Sequence, residues 1–165
     1  MLLAYNSNPN IQTSHELTPL SISCLDGHKE IVKMLLAASA NVLLSDTDGD
    51  SPLIIACQEG HEEIVELLIN QQANIIHTWK NHEPLVDSSP LNIMQILIEN
   101  NADIHARSHS GTTPLFISSY HGHKQFTSAL LHNNADIQSL WKDNWTPRKL
   151  ATEKNLDVIL HLLEN

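Results

Sequence analysis

Three segments share one spacing of apolar and polar positions: KEIVKMLLAA from Lys29, EEIVELLINQ from Glu62 and KQFTSALLHN from Lys124. Apolar residues at i, i+3 and i+4 mark one buried face of an α-helix. Upstream of each, Thr18, Ser51 and Thr113 stand directly before a proline, as Thr146 does near the end of the chain. A hydroxyl at N-cap followed by Pro at the first helical position starts a helix well, because Pro has no N–H to leave unsatisfied there. Gly27, Gly60 and Gly122 follow about eight residues later and predict the end of a short helix, where a left-handed residue is wanted. Each unit therefore reads as a short helix, a turn, a longer helix and an extended loop with Gly49 or Gly111 at its tip. Asn101 and Asn134 suit the left-handed position after the longer helix, whereas Ser39 and Gln72 are costlier choices there.

The units are copies. Aligning Pro19 with Pro52 places Gly27 on Gly60, His28 on His61, Ile31 and Val32 on Ile64 and Val65, and Ala40 on Ala73, always 33 residues apart. Pro114, Gly122, His123, Leu130 and Ala135 follow the same pattern, and a last copy runs from Thr146 through Ile159, Leu162 and Leu163. Between the good copies lies a shortened one, EPLVDSSPLNIMQILIENNADI, with Ser89-Pro90 as a fresh start for its second helix. The predicted organisation is one array: a partial unit at 1–10, units at 11–43, 44–76, a shortened 77–105, 106–138, and a terminal 139–165. Met1-Leu2-Leu3 falls in the middle of a second helix, which suggests a chain cut from a longer protein or a frayed first unit.

The combination of TPL, GH, IV, LL and Ala in register, with a Gly-tipped loop and a period of 33, resembles the ankyrin repeat over essentially the whole chain. The His that usually follows TPL in that family is replaced by Ser21, Ile54, Phe116 and Lys149, so its hydrogen bonds are lost here. The resemblance implies an all-α solenoid of helix–turn–helix repeats with β-hairpin finger loops, in which each unit contacts only its neighbours. It also implies a non-catalytic protein-interaction module that grips its partner with the fingertips and the concave face of the first helices.

Charge and cysteine count narrow the partner. The net charge of −10 argues against a nucleic-acid backbone as ligand. Up to Glu66 there are ten acidic residues against Lys29 and Lys33, which favours a basic peptide or protein surface. Cys24 and Cys57, one unit apart, are expected as small buried hydrophobes outside any disulfide, since stacked helices sit farther apart than a disulfide spans. No leader or membrane-spanning run is visible, which points to an intracellular, cytoplasmic protein without membrane insertion.

Candidate chemistry dissolves into the repeat. His28, His61 and His123 recur at one turn position, as a turn-stabilising residue would. HEEIV lacks the second His of a zinc-protease helix, and DTDGDS lacks the glycine and terminal Glu of a calcium loop. The remaining His residues have no Cys or carboxylate at matching spacing, so no metal and no cofactor is expected. Absence of a nucleophile elbow or phosphate-binding glycine loop leaves catalysis unsupported, and the chain reads as not an enzyme.

Fingertips and first-helix ends then supply the expected partner-binding residues: Asp48, Asp50, Glu59, Trp79, Lys80, His109, Tyr120, His121 and Trp145. Trp141, the third tryptophan, can instead fold back under a neighbouring finger. The shortened unit is expected to leave a notch beside Trp79. A second reading makes the array the targeting or regulatory arm of a larger enzyme or channel; the oligomeric state stays open.

Overall fold

The computed structural model describes residues 7–73, 90–108 and 110–164. The finger and first helix expected for the shortened unit, including the notch, lie outside them. The described residues form nine α-helices: α1 Pro19–Leu25, α2 Lys29–Ala37, α3 Pro52–Gln58, α4 Glu62–Asn70, α5 Leu91–Glu99, α6 Pro114–Tyr120, α7 Lys124–His132, α8 Pro147–Glu153 and α9 Asp157–Leu162.

The four short helices α1, α3, α6 and α8 begin by one mechanism. Thr18, Ser51, Thr113 and Thr146 hold extended backbone, and each hydroxyl accepts from the N–H three residues on, at 3.0, 3.3, 3.3 and 3.1 Å. Such a cap is worth about 1 kcal/mol, a large share of what a two-turn helix can gain locally. α5 starts directly after Pro90, whose carbonyl accepts from Ile93 N. After the longer helices, Ser39, Gln72, Asn101 and Asn134 all take the left-handed conformation, with φ between 60 and 64°. The fold therefore imposes that conformation even on Ser and Gln.

The chain divides into two compact units, with the boundary inside α5 between Ile93 and Met94. In the first, α1 packs on α2 and α3, α3 on α4, and α2 on α4. Leu20, Cys24, Val32, Leu53, Ala56, Cys57, Val65 and Leu68 are fully buried there. In the second, α6 packs on α7 and α8, and α9 on both α7 and α8. Its core joins Met94, Leu115, Leu130, Ala151, Ile159 and Leu163. Burying a Leu or Ile side chain contributes about 1.5–3 kcal/mol, so these rows rather than helix propensity hold the pairs together.

Stacking decides which apolar residues are covered. Ile55 and Ile64 are 5% and 2% exposed beneath the preceding helices, while their repeat equivalents Ile22 and Ile31 are 38% and 46% exposed. One of the recurrent His residues, His61, has a stacking role. None of His28, His61 and His123 caps its helix with its ring. His61 reaches back one repeat instead, its Nε2 lying 3.4 Å from the Leu25 carbonyl. The ring lies over Gly27, where φ is +71° and an added Cβ would come within 2.5 Å of His61 Cε1. Pro90 and Leu156 occupy the same repeat position and cover Gly60 and Gly122 in the same way.

Where the family's His is replaced, the substitutes are accommodated one by one. Ser21 bonds Thr18 Oγ1 through its own hydroxyl at 3.0 Å, Ile54 and Phe116 are buried, and Lys149 is exposed. The described loops are closed by tight turns and contain no strand. Asp46 N donates to the Asp50 carbonyl and Ser108 N to that of Thr112, at 3.1 and 2.9 Å. Trp141 and Trp145 make one isolated antiparallel bridge, with Trp141 N donating to Trp145 O at 2.8 Å.

Candidate functional site

In the first unit the Asp46–Asp50 turn is organised by a carboxylate. Asp46 Oδ1 accepts from the N–H groups of Asp48 and Asp50 at 3.0 and 2.9 Å, while Gly49 N donates to the Asp46 carbonyl. The turn is tied to the preceding loop by Thr47 N, which donates to the His15 carbonyl at 3.2 Å. Asp48 is exposed at the tip and Asp50 half-buried beside it. Glu59 caps the C-terminal end of α3 and is exposed. The two lysines of the unit are already engaged: Lys29 Nζ lies 2.6 Å from Glu63 Oε1, and Lys33 Nζ lies 2.7 Å from Glu30 Oε1. Those contacts raise the pKa of Lys29 and lower that of Glu30, chiefly through the hydrogen bonds. From Asp46 to Glu66 the chain contributes seven carboxylates and no lysine or arginine.

The second unit carries aromatic rings with cations upon them. Tyr120, the last residue of α6, is 40% exposed. Lys154 Nζ sits 3.2 Å from its ring centroid and 3.5 Å from its carbonyl oxygen. The His121 ring meets Tyr120 edge-on at 4.8 Å and stacks on His123 at 5.7 Å, and His123 in turn touches Phe126. At the last finger Lys149 Nζ stands 5.0 Å from the Trp145 ring centroid. A cation over an exposed ring contributes about 0.5–1 kcal/mol.

Trp141 folds back. Its Nε1 donates to the Ser110 carbonyl at 3.0 Å and its ring packs 5.0 Å from that of Phe116. Arg107 closes the same joint, one Nη1 donating to the carbonyls of Gly111 and Leu140 at 3.0 and 2.8 Å. Trp141 and Arg107 therefore fasten one finger to the next.

Burial makes both cysteines poor nucleophiles. Cys24 and Cys57 are buried thiols not joined by a disulfide, and desolvation pushes each up to about 12. Among the described residues, no group of three or more His, Cys, Asp or Glu side chains is placed to hold a metal ion. No described helix is long and apolar enough to cross a membrane.

A family model of ankyrin repeats, in three copies, matches residues 1–78 and 86–165. The chain belongs to the ankyrin-repeat family. Ankyrin repeats are in general protein–protein interaction modules, and they are typically non-catalytic.

Of the residues expected to meet a partner, this ankyrin-repeat protein sets Asp48 beside Asp50 on one turn and Tyr120 against His121 at one helix end. Glu59 stands alone, and Trp145 is half-buried with its backbone bridged to Trp141. Trp79, Lys80 and His109 lie outside the described residues. Sequence reasoning did not find that Lys149 and Lys154 stand as cations on Trp145 and Tyr120. A signal existed for Lys149, because it occupies the position of the family's buried His and could not be buried there unpaired.

Proposed function

We propose that this ankyrin array is a non-catalytic module that binds a protein partner through its finger turns and the exposed ends of its first helices, the concave side in the family. The observation that carries this reading is Tyr120. A large aromatic residue at the end of α6, 40% exposed, is held in one orientation by Lys154 and His121 without being covered. Aromatic side chains fixed in advance lose little entropy on binding and are enriched among interface hot spots.

In the first unit, Asp48, Asp50 and Glu59 offer a partner negative charge; from Asp46 to Glu66 the chain itself contributes no lysine or arginine, and of the seven carboxylates Glu63 pairs with Lys29 from the preceding repeat. That supports a partner with a basic surface at this end. The net charge of −10 weighs against a nucleic-acid ligand. Trp79, Lys80 and His109 belong to the same proposed surface by their repeat positions. The same contacts would serve if the array were the targeting arm of a larger enzyme or channel.

The test is capture from cell lysate by the wild-type chain, by Tyr120→Ala/Trp145→Ala and by Asp48→Ala/Glu59→Ala, all first matched in helicity by circular dichroism. A protein retained by the wild type and lost by either variant is the expected result. Equal retention by all three chains would refute the proposed surface.

A further inference from the structure

A finger and first helix in each unit carry opposite net charge. From Asp46 to Glu59, one finger and its first helix, the chain carries four acidic and no basic residues. From Lys142 to Lys154, the last finger with α8 and its C-cap, it carries Lys142, Arg148, Lys149 and Lys154 against Asp143 and Glu153. Arg148 is neutralised by Glu164, at 2.9 Å. The three lysines are different: each stands over an aromatic ring. Lys142 lies 5.8 Å from the Trp141 centroid, Lys149 5.0 Å from Trp145 and Lys154 3.2 Å from Tyr120. Among the described residues no carboxylate forms an ion pair with any of them.

That arrangement has a physical consequence. A carboxylate partner both positions a lysine and cancels its charge. A ring positions the ammonium through its quadrupole and leaves the full charge in place, with N–H donors still able to reach an outside acceptor. The three sites belong to the last finger, the first turn of α8 and its C-cap, where Lys154 meets the end of α6. Glu153, exposed in the last turn of α8, sets a carboxylate next in sequence to Lys154.

We infer that this strip of Lys142, Lys149 and Lys154, seated on Trp141, Trp145 and Tyr120, docks an acidic protein segment, an extended run rich in Asp and Glu. The inference rests on the protein-binding reading above and gives the second unit's partner a sign opposite to that suggested for the first. A polyanionic nucleic acid or lipid surface would meet the repulsion of the whole chain, net −10, which a short peptide lying on the strip feels least.

The test uses the full chain and a fluorescently labelled peptide of alternating Glu and Gly, followed by anisotropy at low salt. A Lys–Gly peptide, single-stranded RNA and phosphatidylserine vesicles serve as rivals. The expected result is binding of the acidic peptide, weakened about fivefold to tenfold in Lys149→Gln/Lys154→Gln and weakened further by added salt. Glu153→Gln should tighten binding, an effect that no loss of folding can mimic. Unchanged affinity in the double variant, no tightening by Glu153→Gln, no binding at all, or preferential binding of RNA, vesicles or the basic peptide would each overturn the inference. If the acidic peptide fails while a captured protein still depends on Tyr120 and Trp145, the charge assignment falls and the protein-binding reading stands. If both fail, the surface itself is wrong.

Discussion

In α3 and α4, three repeat positions hold Ala56, Cys57 and Val65; in α6 and α7 the equivalent positions hold Ser118, Ser119 and Thr127, and all six residues are buried. The backbone plan is the same and the chemistry inside it is not. In the second unit the hydroxyls satisfy one another. Thr127 Oγ1 donates to Ser118 Oγ at 3.1 Å, and both Ser118 and Ser119 donate to the Leu115 carbonyl, at 3.2 and 2.7 Å. A buried hydroxyl without a partner costs about 1–3 kcal/mol, so the polar interior survives because its donors are accounted for. The ankyrin scaffold thus fixes where side chains go and leaves their polarity to local bookkeeping.

The largest effects should not distinguish the two units. Leu68 and Leu130 are both 0% exposed at equivalent places. Leu68→Ala and Leu130→Ala should each lower stability by about 2–5 kcal/mol through lost transfer energy and cavity formation. Urea titration followed by circular dichroism measures both. A loss below about 1 kcal/mol at either site would mean that its helix pair is not packed as described.

Polarity swaps sharpen the comparison. Val65→Thr places a hydroxyl where Thr127 finds Ser118 Oγ, and the residue equivalent to Ser118 here is the buried Ala56, which offers no side-chain acceptor. The expected cost is about 1–3 kcal/mol. The reverse change, Thr127→Val, should cost less than about 1 kcal/mol, because Ser118 keeps its bond to the Leu115 carbonyl. Equal costs in the two directions would break the argument that hydroxyl pairing, rather than simple size, sets the difference.

The cysteine interior makes a pH prediction that the serine interior does not share. Burial raises both thiols from 9.0 to about 12. Between those values the unfolded chain releases protons that the folded chain keeps, so stability falls as pH rises through this window and is unaffected below it. Cys24→Ala/Cys57→Ala should flatten that part of the curve. In the wild type, a thiol reagent near neutral pH should label both residues only at the rate of unfolding.

How much of this was legible follows the distance over which each feature is decided. Helix starts were readable because a hydroxyl, a proline and the N–H three residues on are decided within one turn. The left-handed Ser39 and Gln72 were readable through the repeat alone, since neither residue advertises that conformation. The same reasoning overlooked Asn155, which stands at the position of Gly122 with φ at 55°. Contacts across repeats were not legible. The seat of His61 over Gly27, the hold of Arg107 on Leu140 and the cation of Lys154 on Tyr120 join residues 33 to 34 apart in sequence. A repeat alignment says that such pairs are neighbours without saying which atoms meet. The candidate site suffered most at Tyr120, whose cation, Lys154, comes from one repeat further on.

Capping hydroxyls offer a finer contrast. Thr113 is buried and lies 3.3 Å from Ser139 Oγ, whereas Thr146 is only half-buried. Both cap seven-residue helices. Thr→Ala at either site should cost about 1 kcal/mol, with the larger loss at Thr113, where Ser139 would be left facing an apolar methyl. Thr→Ser at both sites should restore most of the stability, since the oxygen alone makes the cap.

The smallest effect comes from the covered and uncovered isoleucines. Ile64→Ser removes a 2%-exposed apolar side chain from α4, which packs on α2 and α3, and buries a hydroxyl in its place; it should rank with the core truncations. Ile31→Ser acts at the equivalent position, where the side chain is 46% exposed, so little apolar area returns to water and the new hydroxyl remains hydrated. Its expected cost is within about 0.5 kcal/mol, close to that of an ordinary surface change. The comparison isolates stacking, because the local helix, the residue replaced and the residue introduced are the same. A cost at Ile31 matching that at Ile64 would show that this face is covered in solution, and a concentration-dependent melting temperature would then show whether a second copy covers it.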